Sequence, residues 1–217
     1  MGDLPIFAAI ASAALGYLLG SIPFGLVITK AAGLGDIREI GSGNIGATNV
    51  LRTGRKDLAL ATFLLDSGKA AIALLLAKFI FPTEGGEAGF IAGGAAFLGH
   101  CFPVWLKFKG GKGVATFFGV LFAGLPLIGA ACAALWVLTA LLFRMSSLGA
   151  LVAAAAAPVL AYFLLNGPIA IGFCVLLAVL IYIRHHANIS RILAGTEPKI
   201  GAKKAAEEPK VPEPTAE

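Results

Sequence analysis

The chain has 217 residues, of which 58% are hydrophobic and only 13% are charged, and its mean hydropathy is +0.89. A soluble domain of this length could not cover so much apolar surface, so the composition excludes one and predicts an all-α, polytopic integral membrane protein. The net charge of +5 does not imply a nucleic-acid partner, because in a membrane protein the placement of charges says more than their sum.

Long apolar runs predict the membrane spans in the first half of the chain. The first span covers Leu4 to Thr29 and contains glycines and Pro23, which let neighbouring helices approach closely or kink the helix. The second covers Leu58 to Phe81, and the third covers Ala88 to Leu106. The N-terminus carries Asp3 instead of the positive region of a cleavable signal, so we expect the first span to be retained.

The run from Val114 to Phe143 is too long for one upright helix, since it would extend about 45 Å against a hydrocarbon core of about 30 Å. Gly124 and Pro126 lie at its middle and predict a helical hairpin, with the basic residues before and after it on the same side. Two further spans, Leu148 to Leu165 and Pro168 to Ile183, bring the predicted total to seven.

The distribution of charge predicts the orientation of the chain. With seven spans, all basic residues except Lys69 and Lys78 lie at one membrane face. The positive-inside rule makes that face cytoplasmic, with the N-terminus outside and the C-terminus inside. Residues 1–194 are then one membrane domain, and residues 195–217 are predicted to be a disordered cytoplasmic tail.

A polar ribbon, residues 41–52, precedes the second span and is the most informative functional signal. Its glycines let backbone N–H groups turn toward a common ligand, its hydroxyl and amide groups add donors, and Arg52 adds a positive fork. It matches the dinucleotide pattern G-x-G-x-x-G, but it follows an apolar run instead of a strand. A connecting loop without a ligand stays the alternative. The candidate phosphate-binding residues are Ser42, Gly43, Asn44, Gly46, Thr48 and Asn49.

Three more segments on the same face carry groups suited to anions, and their convergence is the argument for a site. Gly110, Gly111 and Gly113 surround Lys112 before an apolar helix, where backbone donors can bind an anion. Anchoring to lipid headgroups is the alternative for these basic residues and the better interpretation of Lys107. The other two segments are Arg144 to Ser147 and Arg184 to Asn188.

Histidines provide candidates for catalysis. His185 and Asn188 lie one helical turn apart and can face one pocket, so His185 is a candidate catalytic or substrate-orienting residue. His186 is better explained as a headgroup contact. His100 either bonds a backbone carbonyl or lines the site.

Asp66 and Lys69 lie one turn apart inside the second span, where charges are costly. They should pair with each other or face the bundle interior, and a role in lining the site stays open. The sequence has no zinc-ligand spacing, no Ser-His-Asp set, no G-x-S-x-G elbow and no His-x4-Asp pattern, so we expect no metal and no cofactor.

Several motifs in one order resemble the PlsY family of bacterial acyl-phosphate:glycerol-3-phosphate acyltransferases, and the resemblance extends to about Ile200. The motifs are Gly20-Ser21-Ile22-Pro23-Phe24-Gly25, the ribbon, Gly99-His100-Cys101-Phe102-Pro103 with Lys109-Gly110-Gly111-Lys112-Gly113-Val114-Ala115-Thr116, and Arg184-His185-His186-Ala187-Asn188-Ile189 with Arg191.

The resemblance implies transfer of a fatty acyl group from acyl phosphate to the 1-hydroxyl of sn-glycerol 3-phosphate, giving lysophosphatidic acid and phosphate. It implies that the ribbon and Lys112 hold phosphate, that Arg52 and Ser147 bind it or the glycerol head, and that His185 with Asn188 orients the acceptor. The choice of Ser147 over Ser146 stays open. It also implies a bacterial inner membrane protein with its active site on the cytoplasmic face, among membrane lipids and without an evident protein partner.

Acyl phosphate is already activated, so direct attack by the glycerol hydroxyl is the expected mechanism. Its proton would pass to a phosphate oxygen of the donor or to His185. An organic-phosphate transporter is the alternative from another class, although the outer side has almost no charge to match the anion site. A structural membrane protein with headgroup anchors would explain the basic residues but not the ribbon.

Overall fold

The computed structural model describes residues 4–83, 86–165 and 167–201, and within these ranges all regular structure is helical. Short 3-10 turns occur at Ile37–Glu39, Leu51–Thr53 and Val104–Leu106. The helices are α1 (Ile6–Gly20), α2 (Phe24–Ala31), α3 (Ala47–Val50), α4 (Lys56–Ile80), α5 (Glu87–Cys101), α6 (Val114–Gly124), α7 (Pro126–Phe143), α8 (Ser146–Leu164), α9 (Pro168–Arg184) and α10 (His186–Leu193).

Five of these segments are long and apolar enough to cross a membrane, or six if the bent pair α9 and α10 is one span. The five begin at residues 6, 56, 87, 126 and 146, and the first combines α1 and α2. Helix α6 is apolar but has only 11 residues, which reach about half of the hydrocarbon thickness. The all-α membrane architecture is thus confirmed for the described residues, and the count of seven crossings stays a prediction.

The predicted break in the long apolar run is confirmed. Leu125 has a non-helical backbone (φ −139°, ψ 65°), and Pro126 then occupies the first turn of α7, where its missing N–H costs nothing. Helices α6 and α7 therefore form a hairpin, and Lys112 and Ser147, which flank it, lie at the same end of the bundle.

Two predicted spans are broken near prolines. The first is divided into α1 and α2 at residues 21–23, which leaves the carbonyl of Ile22 without a helical partner. The third ends as an α-helix at Cys101, and Pro103 diverts the chain into a 3-10 turn. Both breaks lie at the end of the bundle that carries the polar segments.

Small residues bring the helices into backbone contact, as the sequence predicted for the first span. A Cβ on Gly16 or on Gly20 of α1 would lie 2.1 Å from a carbonyl oxygen of α5, and one on Gly119 of α6 would lie 2.1 Å from a carbonyl oxygen of α4. Large apolar side chains such as Phe79 (84% exposed) and Phe163 (76% exposed) cover the outer faces, where lipid is their natural surrounding.

Residues 195–201, which the sequence placed in the tail, pack back onto the bundle. Gly195 has a φ of +71°, which turns the chain at the end of α10. Farther on, Ile200 donates its N–H to the carbonyl of Arg144 at 2.6 Å, and the Arg144 side chain donates to the carbonyl of Ile200 at 2.9 Å. The rest of the predicted tail, residues 202–217, lies outside the described residues.

Candidate active site

Three of the four polar segments meet at one end of the bundle. The Lys112 ammonium, just before α6, donates to Asn188 Oδ1 of α10 at 2.5 Å. The Asn188 amide and the Ser147 hydroxyl of α8 each donate to the same carboxylate oxygen, Oε1 of Glu197, at 2.6 Å. The predicted convergence of Lys112, Ser147 and Asn188 is therefore observed, and it selects Ser147 over Ser146 as the inward serine.

Glu197 is the residue at this site that the sequence analysis missed. Its side chain is only 6% exposed, and its second oxygen accepts from Arg191 Nε at 2.7 Å. Burial works to raise the pKa of this carboxyl, but the hydrogen bonds from Ser147, Asn188 and Arg191 prevail and lower it. The cluster thus holds a carboxylate of the chain itself in its charged form.

Lys112 lies in an unusual electrostatic setting. Burial, followed by the positive charge of Arg191, lowers the pKa of Lys112 to about 8, and the Glu197 carboxylate only partly opposes this. The charges of Arg184 and Arg52 act in the same direction as that of Arg191. Four charged side chains, three cationic and one anionic, therefore influence the ionisation of Lys112.

His185 lies at the bend between α9 and α10 and is only 2% exposed. Its Nδ1 lies 2.8 Å from the carbonyl oxygen of Ile181, so Nδ1 carries the proton and donates. Burial lowers the pKa of His185 to about 4, which leaves the ring neutral at physiological pH with Nε2 as an acceptor. His186 is exposed, with its Nδ1 3.1 Å from the carbonyl oxygen of Ile183, and its predicted contact with lipid headgroups stays a prediction.

The ribbon is organised around Asn49, which is 1% exposed. Its Nδ2 donates to the carbonyls of Ile37 and Ile40, both at 2.9 Å. Its Oδ1 accepts from the backbone and hydroxyl of Ser42 and from Arg52 Nη1, at 3.1, 3.3 and 3.3 Å. Asn49, predicted as a phosphate ligand, therefore serves here to shape the loop, because both ends of its amide are engaged within the protein.

The other candidates in the ribbon remain accessible. Ser42, Gly43, Thr48 and Arg52 are exposed, and Asn44 and Gly46 are half-buried. Within the described residues, the side chains of Asn44 and Thr48 make no hydrogen bond. Their proposed contact with phosphate stays a prediction.

The glycines around Lys112 are pressed against the end of α5. Gly110 and Gly111 donate their N–H groups to the carbonyls of Cys101 and His100 at 3.1 and 3.0 Å. A Cβ on Gly111 would lie 2.1 Å from His100 Nε2, and one on Gly113 would lie 2.2 Å from the ring of Phe97. Any side chain larger than glycine would push the loop away from this support.

A buried charged triad lies beneath the loop. Lys69 Nζ donates to Asp66 Oδ1 at 2.7 Å and to the freed carbonyl of Ile22 at 2.6 Å, and it lies 3.0 Å from His100 Nδ1. The predicted pairing of Asp66 with Lys69 is confirmed. His100 joins this pair through its ring, and not a backbone carbonyl as one prediction had it, because a buried ammonium needs several acceptors.

Metal ligation has no support in the part of the chain that the structure describes, where no three His, Cys, Asp or Glu side chains are grouped to hold an ion. The three cysteines, Cys101, Cys132 and Cys174, are buried separately and unpaired there.

Comparisons with known proteins agree with one another. The sequence model of a family described as glycerol-3-phosphate acyltransferase matches residues 10–195. A glycerol-3-phosphate acyltransferase of Caulobacter vibrioides is 61% identical over 195 residues, covering 89% of this chain and 88% of the relative. One of Jannaschia sp. is 60% identical over 190 residues, covering 88% of this chain and 92% of the relative.

Solved structures show the same fold. The crystal structure of PlsY, an integral membrane glycerol 3-phosphate acyltransferase, in its glycerol 3-phosphate form has a TM-score of 0.82 and 38% identity, covering 89% of this chain and 96% of that one. Its lysophosphatidic acid form has a TM-score of 0.81 and 36% identity, covering 89% and 95%.

Proposed function

Because the chain belongs to the glycerol-3-phosphate acyltransferase family, we propose that it transfers a fatty acyl group from acyl phosphate to the 1-hydroxyl of sn-glycerol 3-phosphate, giving lysophosphatidic acid and inorganic phosphate. One observation carries the proposal: donors from three separate segments meet, since Asn188 and Ser147 donate to one carboxylate oxygen of Glu197 and Lys112 donates to Asn188 Oδ1. Ammonium, amide and hydroxyl donors suit phosphate oxygens equally well. Both substrates present a phosphate to such a site.

The positively charged residues of the site can be assigned to the phosphate groups of the two substrates. Lys112 and Arg191 lie at the cluster around Glu197, and Arg52 extends from the ribbon beside the exposed Ser42. A phosphate between Arg52 and Lys112 would be bound from both sides, and charge-assisted hydrogen bonds of this kind are the strong ones. The second phosphate would then replace the Glu197 carboxylate as the group that accepts from Ser147 and Asn188.

The reaction needs little more than positioning. The glycerol hydroxyl oxygen attacks the carbonyl carbon of acyl phosphate, an ester bond forms, and the bond between that carbon and the phosphate oxygen breaks. Nε2 of the neutral His185 accepts the hydroxyl hydrogen bond and orients the attacking oxygen. Because burial lowers the pKa of His185 to about 4, the ring is a weak base, and the leaving phosphate, which gains negative charge as its bond to the acyl carbon breaks, takes the proton.

An apolar groove beside the site fits the acyl chain. It has a volume of about 310 Å³ and is lined by Trp136, Val137, Ala140 and Leu141 of α7, together with Arg144 and Ile200. Ser147 lies three residues beyond Arg144, and Glu197 lies three residues before Ile200, so the groove opens next to the anion cluster.

The site would lie on the cytoplasmic face of a bacterial inner membrane, with seven crossings and the N-terminus outside. Cysteine labelling tests this orientation, because the native cysteines of the described chain are buried. In intact cells stripped of their outer membrane, an impermeant maleimide should label Pro82→Cys at the far end and spare Ser190→Cys near the site. The reverse labelling would overturn the orientation.

The decisive assay measures phosphate release by purified protein in lipid vesicles given palmitoyl phosphate, with and without glycerol 3-phosphate. Release that requires glycerol 3-phosphate and yields lysophosphatidic acid is the expected result. Activity with palmitoyl-CoA but not with palmitoyl phosphate would refute acyl phosphate as the donor. No activity with either donor would favour the alternative, a transporter of organic phosphates.

Variants test the mechanism. His185→Ala should retain measurable turnover, because it removes orientation but not the base, while Lys112→Ala and Arg52→Ala should lose most activity. A trapped acyl-enzyme, detected as a mass increase after brief reaction with palmitoyl phosphate, would contradict direct attack.

A further inference from the structure

Arg184, the last residue of α9, makes contacts that the proposed chemistry does not use. Its Nε donates to the carbonyl of Gly111 and its Nη2 donates to the carbonyl of Gly110, both at 3.0 Å. The guanidinium carbon also lies 5.0 Å from the centre of the Phe102 ring, at the end of α5. The planar fork of arginine suits two neighbouring carbonyls, because its donors stand at a fixed separation and direction.

The same two glycines are held from the opposite side by α5. Their N–H groups bond to the last carbonyls of that helix, so every backbone polar group of Gly110 and Gly111 is engaged. Between α5 and Arg184 the loop has no room for movement, since a Cβ on Gly110 would lie 2.2 Å from the carbonyl oxygen of His100. Lys112 follows immediately on this clamped pair.

The hydrogen-bond partners of the Arg184 guanidinium are neutral carbonyl groups. Across residues 4–83, 86–165 and 167–201, no carboxylate lies within 4.0 Å of its nitrogens. Arg184 is instead adjacent to His185 and one helical turn from Asn188, whose Oδ1 accepts from Lys112. The residue thus connects the loop that carries Lys112 to the segment that carries His185 and Asn188.

We infer that Arg184 is a positioning residue, which fixes the Gly110–Lys112 loop against the His185–Asn188 segment and thereby places the Lys112 ammonium at the reaction site. The inference rests on the proposed function and adds a role that is distinct from substrate binding. Arg184 acts through Lys112, so its contribution depends on the lysine being present.

A double-mutant cycle tests this dependence in lipid vesicles with palmitoyl phosphate and glycerol 3-phosphate. Arg184→Gln should lower kcat roughly 100-fold, the loss expected when a reacting group is displaced by about 1 Å. In the Lys112→Met background the same change should cost less than about 3-fold, because the residue it positions is gone. Losses that multiply in the double variant would show that Arg184 acts independently of Lys112 and would overturn the inference.

Further variants keep the test interpretable. Arg184→Lys retains the charge but not the fork, so it should recover less than a tenth of the lost activity; full recovery would also overturn the inference. If Arg184→Gln does not fold, as judged by gel filtration in detergent, Arg184→Lys takes its place in the cycle. Arg55→Gln, which removes an exposed guanidinium paired with Asp57, is the matched control and should leave activity unchanged. Silence of the wild-type protein would count against the proposed function instead.

Discussion

The lowered pKa of Lys112 predicts a specific dependence of activity on pH. The ammonium is charged below its pKa of about 8 and neutral above it. About nine-tenths of the free protein therefore carries the charge at pH 7 and about one-tenth at pH 9. Because kcat/KM reports the ionisation of the free enzyme, kcat/KM for glycerol 3-phosphate should fall roughly tenfold between pH 7 and pH 9.

The fall in kcat/KM cannot exceed the factor that the positive charge of Lys112 contributes to kcat/KM. A hydrogen bond to a charged partner stabilises by about 1.5–3 kcal/mol, which corresponds to roughly 10- to 150-fold in kcat/KM. Lys112→Met should therefore lose that factor at pH 7 and show no further fall above pH 8. The measurement is continuous phosphate release in vesicles, with a protein-free blank at each pH to subtract spontaneous hydrolysis of the acyl phosphate.

Lys112→Arg is the control, because a guanidinium stays charged throughout this range. Whatever its activity at pH 7, this variant should keep a flat profile to pH 9. A wild-type profile that is flat to pH 9, or an equal fall in Lys112→Arg, would show that the titrating group is not Lys112 and would refute the argument.

Three further predictions follow from packing. Gly111→Ala should abolish phosphate release, because its Cβ would lie 2.1 Å from the His100 ring, whereas Gly172→Ala, with open space around it, should be fully active in the same assay. Asn49→Leu removes the side-chain hydrogen bonds to the Ile37 and Ile40 carbonyls and the acceptor of the Ser42 N–H, at about 0.5–1.5 kcal/mol each, and should lower both the Tm in detergent and the turnover; an unchanged Tm would contradict the role of Asn49. Leu141→Trp, at a position that is 73% exposed, should narrow the groove and shift preference toward shorter acyl phosphates; an unchanged chain-length profile would place the acyl chain elsewhere.

Features that depend on strong local chemistry could be predicted from the sequence. Pro126 lacks the N–H that would continue a helix and follows Gly124, so a break near this pair was expected, whereas Pro158 without a glycine nearby lies inside α8. Asp66 and Lys69 had to pair, because an unpaired charge within a span is costly. The convergence of Lys112, Ser147 and Asn188 followed from the side of the membrane on which each segment emerges.

Features that depend on the direction of individual side chains could not be predicted. Asn44 and Asn49 look equivalent in the sequence, but Asn49 lies on α3 with its side chain buried against the loop, whereas Asn44 is only half-buried. Glu197 lies in a stretch whose composition resembles a tail, and only the reversal at Gly195 returns it to the cluster. In the sequence Arg184 resembles any basic residue at a membrane interface, and only the structure shows its two carbonyl partners.

The buried triad also constrains how the protein enters the membrane. Helix α4 alone would carry Asp66 and Lys69 into lipid, and each charge at the centre of a span adds about 2.5–3.5 kcal/mol to the free energy of insertion. Two groups that contact the Lys69 ammonium lower this cost. The carbonyl of Ile22 is already synthesised when α4 emerges, and His100 leaves the ribosome about thirty residues later. We therefore expect α4 to wait beside the translocon until α5 arrives, so that the helices leave the channel together as a preassembled unit.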